Sequence, residues 1–521
     1  MNGAESLIKT LVDSGVEVCF TNHGTSEMHF VAALDEVAGM RCVLGLFEGV
    51  VSGAADGYAR MAGKPAATLL HLGPGLGNAL ANIHNARKGH VPIINIVGDH
   101  ATYHLEYDAP LTSDIEGIAA PVSHWVHTAT DPEDIAAAAA TAVHEAGSNR
   151  VSTLVLPADV SWGENPRGPS APTQPRELPL VDPVRLEEAV RALDAGPRAM
   201  ILMGGGVVTA EMGDLAGRIA ASTGARLCLE TFPTRVARGA GRAVMERLPY
   251  LAEQAIEFLA DVDQLILVGA ATPVSFFAYP GVPSVLSADQ CNVLTLATAD
   301  ENRASALKDL LLLLGDKTAN AKVYEQTEIP LPSGELNAMS LSQGLAGLLP
   351  AQAVVVDEGA TTALPTFPLT AQAAPHDWLA LTGGSIGFGL PCAVGAAIAA
   401  PERKVVCLEG DGSAMYTVQS LWTMARENLD ITVVICNNAK YNILELEFAR
   451  TGARGGKPGP KAADMLHIGN PDLDFVDIAR GMGIEAVRAT TAEEFCTAFA
   501  AAMAEPGPRL IDAVVPPITL G

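Results

Sequence analysis

At 521 residues the chain is too long for one ordinary domain, and with 49% apolar and 18% charged residues it has ample material for the large cores of α/β enzymes. A formal charge of −26 argues against non-specific partnership with nucleic acid or anionic membranes. No apolar run approaches the ~18 residues of a membrane span, the N-terminus lacks a signal-peptide pattern, and eight scattered cysteines without metal-type pairs point to free thiols in a reducing cytoplasm.

Glycine and proline divide the chain into alternating apolar strands and Ala-rich helices. This rhythm predicts an α/β fold of doubly wound parallel sheets with helices on both faces. Two stretches break it: Asn165 to Asp182, with five prolines, and Ile329-Pro330-Leu331-Pro332-Ser333-Gly334. Three blocks follow, 1–163, 183–328 and 335–521, each near the usual domain size. The first and third share a strand, glycine turn, helix pattern.

In the first block, Thr21-Asn22-His23-Gly24-Thr25-Ser26-Glu27 reads as a strand-end loop. Phe47-Glu48-Gly49-Val50 opens a helix, where a carboxylate suits the macrodipole. Leu70-His71-Leu72-Gly73-Pro74-Gly75 closes a strand and opens the next helix. A histidine there suits proton transfer near neutral pH, although strand-end histidines also serve structure. In the central block, Met203-Gly204-Gly205-Gly206 follows the strand Ala199–Leu202. It lacks the Gly-x-Gly-x-x-Gly spacing, and no acidic residue convincingly ends a neighbouring strand, which argues against an NAD-linked oxidoreductase.

In the third block, Asp357-Glu358-Gly359-Ala360-Thr361-Thr362 follows the strand Ala353–Val356, and Thr382-Gly383-Gly384-Ser385-Ile386-Gly387 precedes an Ala-rich helix. Then comes the most specific signal. A strand, Lys404 to Leu408, leads to Gly410-Asp411-Gly412-Ser413; a helix is expected over Ala414 to Asn428; a second strand, Ile431 to Cys436, ends in Asn437-Asn438. The polar residues fall at the carboxyl ends of parallel strands, where open sheets bind ligands. Asp411 and Asn438, with the Lys440 carbonyl, offer oxygens to a hard cation. Ser413 and the Gly412 N–H face a diphosphate. The basic, Gly- and Pro-rich run Arg450 to Lys461 reads either as a solvated loop or as a lid.

The Gly-Asp-Gly to Asn-Asn spacing resembles the signature of the thiamine diphosphate (ThDP) enzymes of the acetohydroxyacid synthase, benzoylformate decarboxylase and related decarboxylase group. The resemblance runs through all three blocks and implies a pyrimidine-binding domain, a central domain and a diphosphate-binding domain. It implies ThDP and Mg²⁺ as cofactors. It implies that Glu48 contacts the aminopyrimidine N1′, that the Gly384 carbonyl accepts from the 4′-amino group, and that Ile386 wedges the cofactor into its bent form. Gly359 and Thr361 are expected to line the diphosphate site. His71 stands where a benzoylformate decarboxylase has an active-site histidine, Thr25 where it has a serine, and His23 lies beside them. The relatives' second histidine, in the central domain, has no match in Thr272-Pro273-Val274-Ser275-Phe276-Phe277-Ala278-Tyr279. Phe276 or Phe277 is expected instead to wall an apolar pocket or pack into the core. FAD occurs in some relatives, but the loop that often accompanies it is missing at Glu246–Tyr250, so FAD is expected less than not.

These features rank an acetolactate synthase-like carboligase first: it would decarboxylate a 2-oxo acid such as pyruvate and join the resulting enamine to a second carbonyl. A benzoylformate-type decarboxylase releasing an aldehyde comes second. A non-catalytic ThDP-binding regulator is the reading of another class, and Glu48 argues against it. The resemblance also implies a homodimer or homotetramer with active sites at the subunit interface.

Overall fold

The computed structural model describes residues 1–147, 149–315 and 319–518; the last three residues of the third block lie outside these. Three sheets carry the chain. In the first block, β1 (Val18–Asn22), β2 (Arg41–Leu44), β3 (Ala66–Leu70), β4 (Ile93–Asp99), β5 (Trp125–Thr128) and β6 (Val151–Pro157) pair in the order β2-β1-β3-β4-β6-β5. Every pairing among them is parallel. β3, β4 and β6 are buried along their whole length, as strands covered by helices on both faces must be.

The next block supplies β7 (Ala199–Met203), β8 (Val207–Val208), β9 (Arg226–Leu229), β10 (Arg235–Arg238), β11 (Glu246–Arg247), β12 (Gln264–Val268) and β13 (Asn292–Ala297). Five of these form a parallel sheet in the order β11-β9-β7-β12-β13. The third block contributes β14 (Val354–Glu358), β15 (His376–Ala380), β16 (Val405–Gly410), β17 (Ile431–Asn437), β18 (Glu485–Ala489) and β19 (Arg509–Val514). Its sheet runs β18-β19-β17-β16-β14-β15 and continues into β10 and β8. The β10–β15 pairing is antiparallel. This departs from the expectation of wholly parallel, self-contained sheets: two short strands of the second block cap an edge of the third sheet that would otherwise stand open.

The first and third blocks meet where the helix Glu48–Ala62 crosses the helix Gly389–Ala399. Gly57 lies against the Cys392 carbonyl and Gly395 against the Ala54 carbonyl, so close that any Cβ would collide. A buried cation ties all three blocks together. Arg60, with no exposed side chain, is forked onto Asp56 and donates to the carbonyl oxygens of Thr234 at 2.8 Å and Ala380 at 2.7 Å. Its guanidinium stacks on Phe388.

The helix expected over Ala414 to Asn428 is broken. A short turn, Asp411–Ala414, is followed by non-helical chain and then a helix, Ser420–Arg426. The Thr417 hydroxyl donates to the Gly387 carbonyl at 3.0 Å, drawing the intervening segment toward the glycine turn instead of continuing the helix. The run Arg450 to Lys461 is not a featureless loop either. It follows the helix Asn442–Arg450, makes one tight turn, Ala453–Gly456, and enters the helix Pro460–Leu466. Among the described residues no helix is long and apolar enough to cross a membrane.

Candidate active site

The ends of β16 and β17 bring the Asp-Gly and Asn-Asn residues together as their spacing implied. β16 and β17 pair in register up to Gly410 and Cys436, so Asp411 and Asn437 leave the sheet side by side. Asp411 is 3% exposed. Its Oδ1 accepts from the Gly412 N–H at 2.8 Å, and its Oδ2 accepts from the N–H groups of Asn438 at 2.9 Å and Ala439 at 2.6 Å. Burial raises its carboxyl above the usual range, against the pull of these N–H donors. Asn438 Oδ1 accepts from the Lys440 N–H at 3.0 Å. The Lys440 ammonium is turned to Glu445, leaving its carbonyl as the candidate ligand. Among the described residues no cluster of three or more His, Cys, Asp or Glu could hold a metal. A cation here would take Asp411 with amide and carbonyl oxygens, a donor set suited to Mg²⁺.

Beside this lies the end of β14. Gly359 is buried with no room for a Cβ, and the Thr361 hydroxyl meets Asn442 Oδ1 at 3.3 Å. Among the described residues the buried Thr362 hydroxyl has no hydrogen-bond partner, an orphan donor suited to a phosphate oxygen. Glu358 accepts from the N–H groups of Gly387, Phe388 and Gly389 at 2.9, 2.8 and 2.6 Å. It thereby fixes the glycine turn at the head of the helix Gly389–Ala399. Glu409, opposite Glu358 in the ladder, is wholly buried. Burial raises both carboxyls, Glu358 to about 7 against the pull of its three N–H donors and Glu409 further still, with the Glu358 charge beside it.

The turn that contains Gly384 and Ile386 is gripped from the first block. Asn85 donates to the Ser385 carbonyl at 2.8 Å and accepts from the Ser385 N–H at 3.1 Å. Asn82 donates to the carbonyls of Gly387 at 3.1 Å and Gly49 at 2.9 Å. Gly384 has φ +75 and its Cα faces the ring of Phe276, so glycine is required there twice over. Phe276 belongs to an aromatic group with Phe232, Tyr250 and Phe277, at centroid separations of 5.8, 5.7 and 4.9 Å. Phe276 and Phe277 are 42% and 54% exposed and so do not pack into the core, and the Phe276 ring touches the glycine turn.

Glu48 occupies the first position of its helix, half-buried, and accepts from Asn78 Nδ2 at 3.0 Å. His71 caps the helix Leu72–Lys88, and Gly75 separates it from Glu48. Its Nδ1 lies 2.8 Å from Oε2 of Glu27, which is fully buried and also accepts from the Gly24 N–H at 2.7 Å. Gly24 packs flat on the imidazole. A carboxylate on Nδ1 sets the tautomer that leaves Nε2 free to take up or give a proton. The other two candidates are not drawn to this pair. Thr25 is exposed on the tight turn Thr25–Glu27, with no side-chain hydrogen bond among the described residues. His23 bonds to Thr21 at 3.1 Å and lines a cavity of about 180 Å³ with Phe30, Leu34 and Cys42.

Backbone strain marks the same places. Leu72, Ala360 and Ala439 take the left-handed conformation, at φ +52, +47 and +55, although none is glycine. Each follows a strand end that carries candidate residues: His71, Gly359 and Asn438. Such strain persists only where surrounding structure imposes it, and it gathers at functional sites.

The sequence reading passed over Glu27, Glu358, Asn82 and Asn85. The two asparagines lie three residues apart on one helix, a spacing that puts both on one face and could have been noticed. Glu27 has no such local signal, because its partner comes from another strand end. Replacing Glu27 with Gln should lower kcat about 10-fold, with cofactor affinity unchanged. Steady-state kinetics beside calorimetric binding checks this, and a loss of cofactor affinity alone would remove Glu27 from proton handling.

Residues 1–127 match the N-terminal TPP binding domain of thiamine pyrophosphate enzymes, and residues 363–513 match the C-terminal TPP binding domain. The chain is 53% identical to the Mycobacterium tuberculosis protein named "Putative acetolactate synthase large subunit IlvX", over 99% of each chain. It is 29% identical to the benzoylformate decarboxylase of Pseudomonas aeruginosa, over 96% of each. The solved 4-hydroxybenzoylformate decarboxylase of Rhodococcus jostii RHA1 superposes with a TM-score of 0.80 at 23% identity, covering 99% of both chains. The chain thus belongs to the thiamine diphosphate-dependent enzymes, in the family of the acetolactate synthases and benzoylformate decarboxylase.

Proposed function

We propose that the protein is a carboligase that removes CO₂ from a 2-oxo acid such as pyruvate and joins the remaining acyl unit to a second carbonyl, giving a 2-hydroxy ketone. The observation that carries this choice is the Phe276 ring on Gly384. The central block sets Phe276 on the glycine turn, backed by Phe232, Phe277 and Tyr250, and the one hydroxyl of the group, that of Tyr250, is tied to Glu447 at 3.2 Å. Both outcomes consume one proton. Aldehyde release puts it on the carbon that lost CO₂; ligation puts it on the acceptor's oxygen. Covered by a second copy of the chain, this aromatic wall would exclude water and withhold the proton from carbon, favouring ligation. The M. tuberculosis relative's name points the same way.

The residues present fit the cofactors. Asp411, Asn438 and the Lys440 carbonyl would hold Mg²⁺; Gly412, Ser413, Gly359 and Thr361 would hold the diphosphate; Gly384 and Ile386 would seat the pyrimidine end. Bound there, ThDP supplies the electron sink that lets CO₂ leave. The protein's own part is to hold a proton at Glu48, to move one through Nε2 of His71, and to keep Gly384 in place through Asn85 and Glu358. Thr25 and His23 belong at most to the substrate approach.

Large apolar side chains flank the two halves of the site: Leu46 near Glu48, and Met415 and Tyr416 after Ser413 are 48%, 39% and 52% exposed. They support a homodimer or homotetramer in which a second copy covers the site. The domain division at 163–183 and 328–335 belongs to the same reading.

Incubation with pyruvate or benzoylformate, with and without ThDP and Mg²⁺, tests the function. A 2-hydroxy ketone is the expected product. Aldehyde alone would support the decarboxylase reading, which His71 and the Glu27 pairing favour. No consumption of either acid would favour a non-catalytic ThDP-binding regulator.

A further inference from the structure

The glycine run Met203-Gly204-Gly205-Gly206 lies at the end of β7, the first strand of its sheet. The sheet grows to one side through β9 and to the other through β12, so the ends of β7 and β12 flank its topological switch point. That crevice, with its backbone N–H groups, is where a sheet of this kind takes a dinucleotide such as FAD.

Here the chain fills it with its own groups. Contrary to the sequence reading, an acidic residue does end the neighbouring strand: Glu230 directly follows β9. Its carboxyl group lies on the Gly204 Cα, and its Oε1 accepts from the Gly205 N–H at 3.0 Å. The buried guanidinium of Arg303 comes from the opposite side. It donates to the Gly204 carbonyl at 2.6 Å and packs against Gly206 and Gly269. The crevice itself is zipped. Gly204 N–H donates to the Val268 carbonyl at 3.1 Å, Met203 bridges to Gly269, and Gly205 Cα rests on the Gly269 carbonyl.

We propose that the central block takes no FAD, because Glu230 and Arg303 occupy the glycine turn that would cradle its diphosphate. A diphosphate would have to expel a carboxylate already bonded to the turn, or sit beside it at the cost of like-charge repulsion in a site shielded from water. Burial pushes Glu230 up to about 7, with the Gly205 N–H and Arg303 holding it down. Protonation does not vacate the turn, since the neutral acid fills the same space. This inference does not rest on the carboligase reading.

Equilibrium dialysis of the full-length protein against FAD, and separately against ADP, tests it. The wild type should retain neither, even at ligand concentrations of about 100 μM, where a 1 μM site would be filled. Glu230→Ala, with its fold checked by thermal melting, should gain saturable ADP binding, because the Gly205 N–H is then free and the carboxylate no longer fills the turn. Saturable flavin binding by the wild type, in a one-to-one complex, would overturn the proposal. A Glu230→Ala protein that melts as wild type and still ignores ADP would overturn the role given to Glu230.

Discussion

Glu48→Gln is expected to lower kcat by about 10²–10⁴-fold while ThDP and Mg²⁺ bind as in the wild type. The substitution preserves the side chain's shape and its acceptor for Asn78 Nδ2, which now lies 3.0 Å from the carboxylate. It removes only the capacity to hold and release a proton. Glu48 is far from the Asp411 carboxylate in sequence and belongs to the first block's helix, so the metal and diphosphate residues of β16 and β17 are untouched. Calorimetric titration with ThDP in the presence of Mg²⁺, beside steady-state turnover, separates the two effects. An undiminished rate would end the catalytic assignment. A loss of affinity equal to the loss of rate would make Glu48 a binding group only. Because Glu48 is half-exposed at the helix start, the same variant should melt at the wild-type temperature.

How much of this was legible beforehand differs from residue to residue, for physical reasons. Asp411 and Asn438 sit at the ends of adjacent parallel strands that a single crossover joins, so local spacing already places them together. β7, β12, β14, β16 and β17 announce themselves as apolar runs, because strands buried on both faces can be little else. What could not be read depends on contacts between distant segments. Glu27 and His71 are 44 residues apart and meet only because β1 and β3 are neighbours. The helical pattern after Ser413 was overridden by one hydroxyl, Thr417, bonding to a carbonyl 30 residues earlier. The antiparallel join of β10 to β15 involves a four-residue strand too short to carry a pattern of its own. Glu230 was missed at its strand end because acidic residues are common there, and only its contact with Gly205 distinguishes it.

The second large effect is expected at Asp411. Asp411→Asn should weaken Mg²⁺-dependent ThDP binding by at least ~10²-fold, since the only carboxylate of the proposed donor set becomes a neutral amide. The apoprotein should remain folded. An asparagine oxygen can still accept from the N–H groups of Asn438 and Ala439, which Asp411 Oδ2 now serves at 2.9 and 2.6 Å, and only the Gly412 N–H on Oδ1 loses its acceptor. Asp411→Ala differs in kind. It strips the acceptor from three backbone N–H groups, those of Gly412, Asn438 and Ala439, at a cost of ~1–3 kcal/mol for each one left unsatisfied. That variant should therefore lose stability even before cofactor is added. Thermal melting reads both effects. The wild type should gain ~2.7 kcal/mol when ThDP and Mg²⁺ are present at 100 times their dissociation constant. Asp411→Asn, with one N–H left without its acceptor, should start somewhat lower than the wild type and show little of that rise, and Asp411→Ala, with three, should start lower still. An Asp411→Asn protein with the full cofactor-dependent rise would dismiss Asp411 as a metal ligand and leave it the structural role of holding the Asn438 loop against β16.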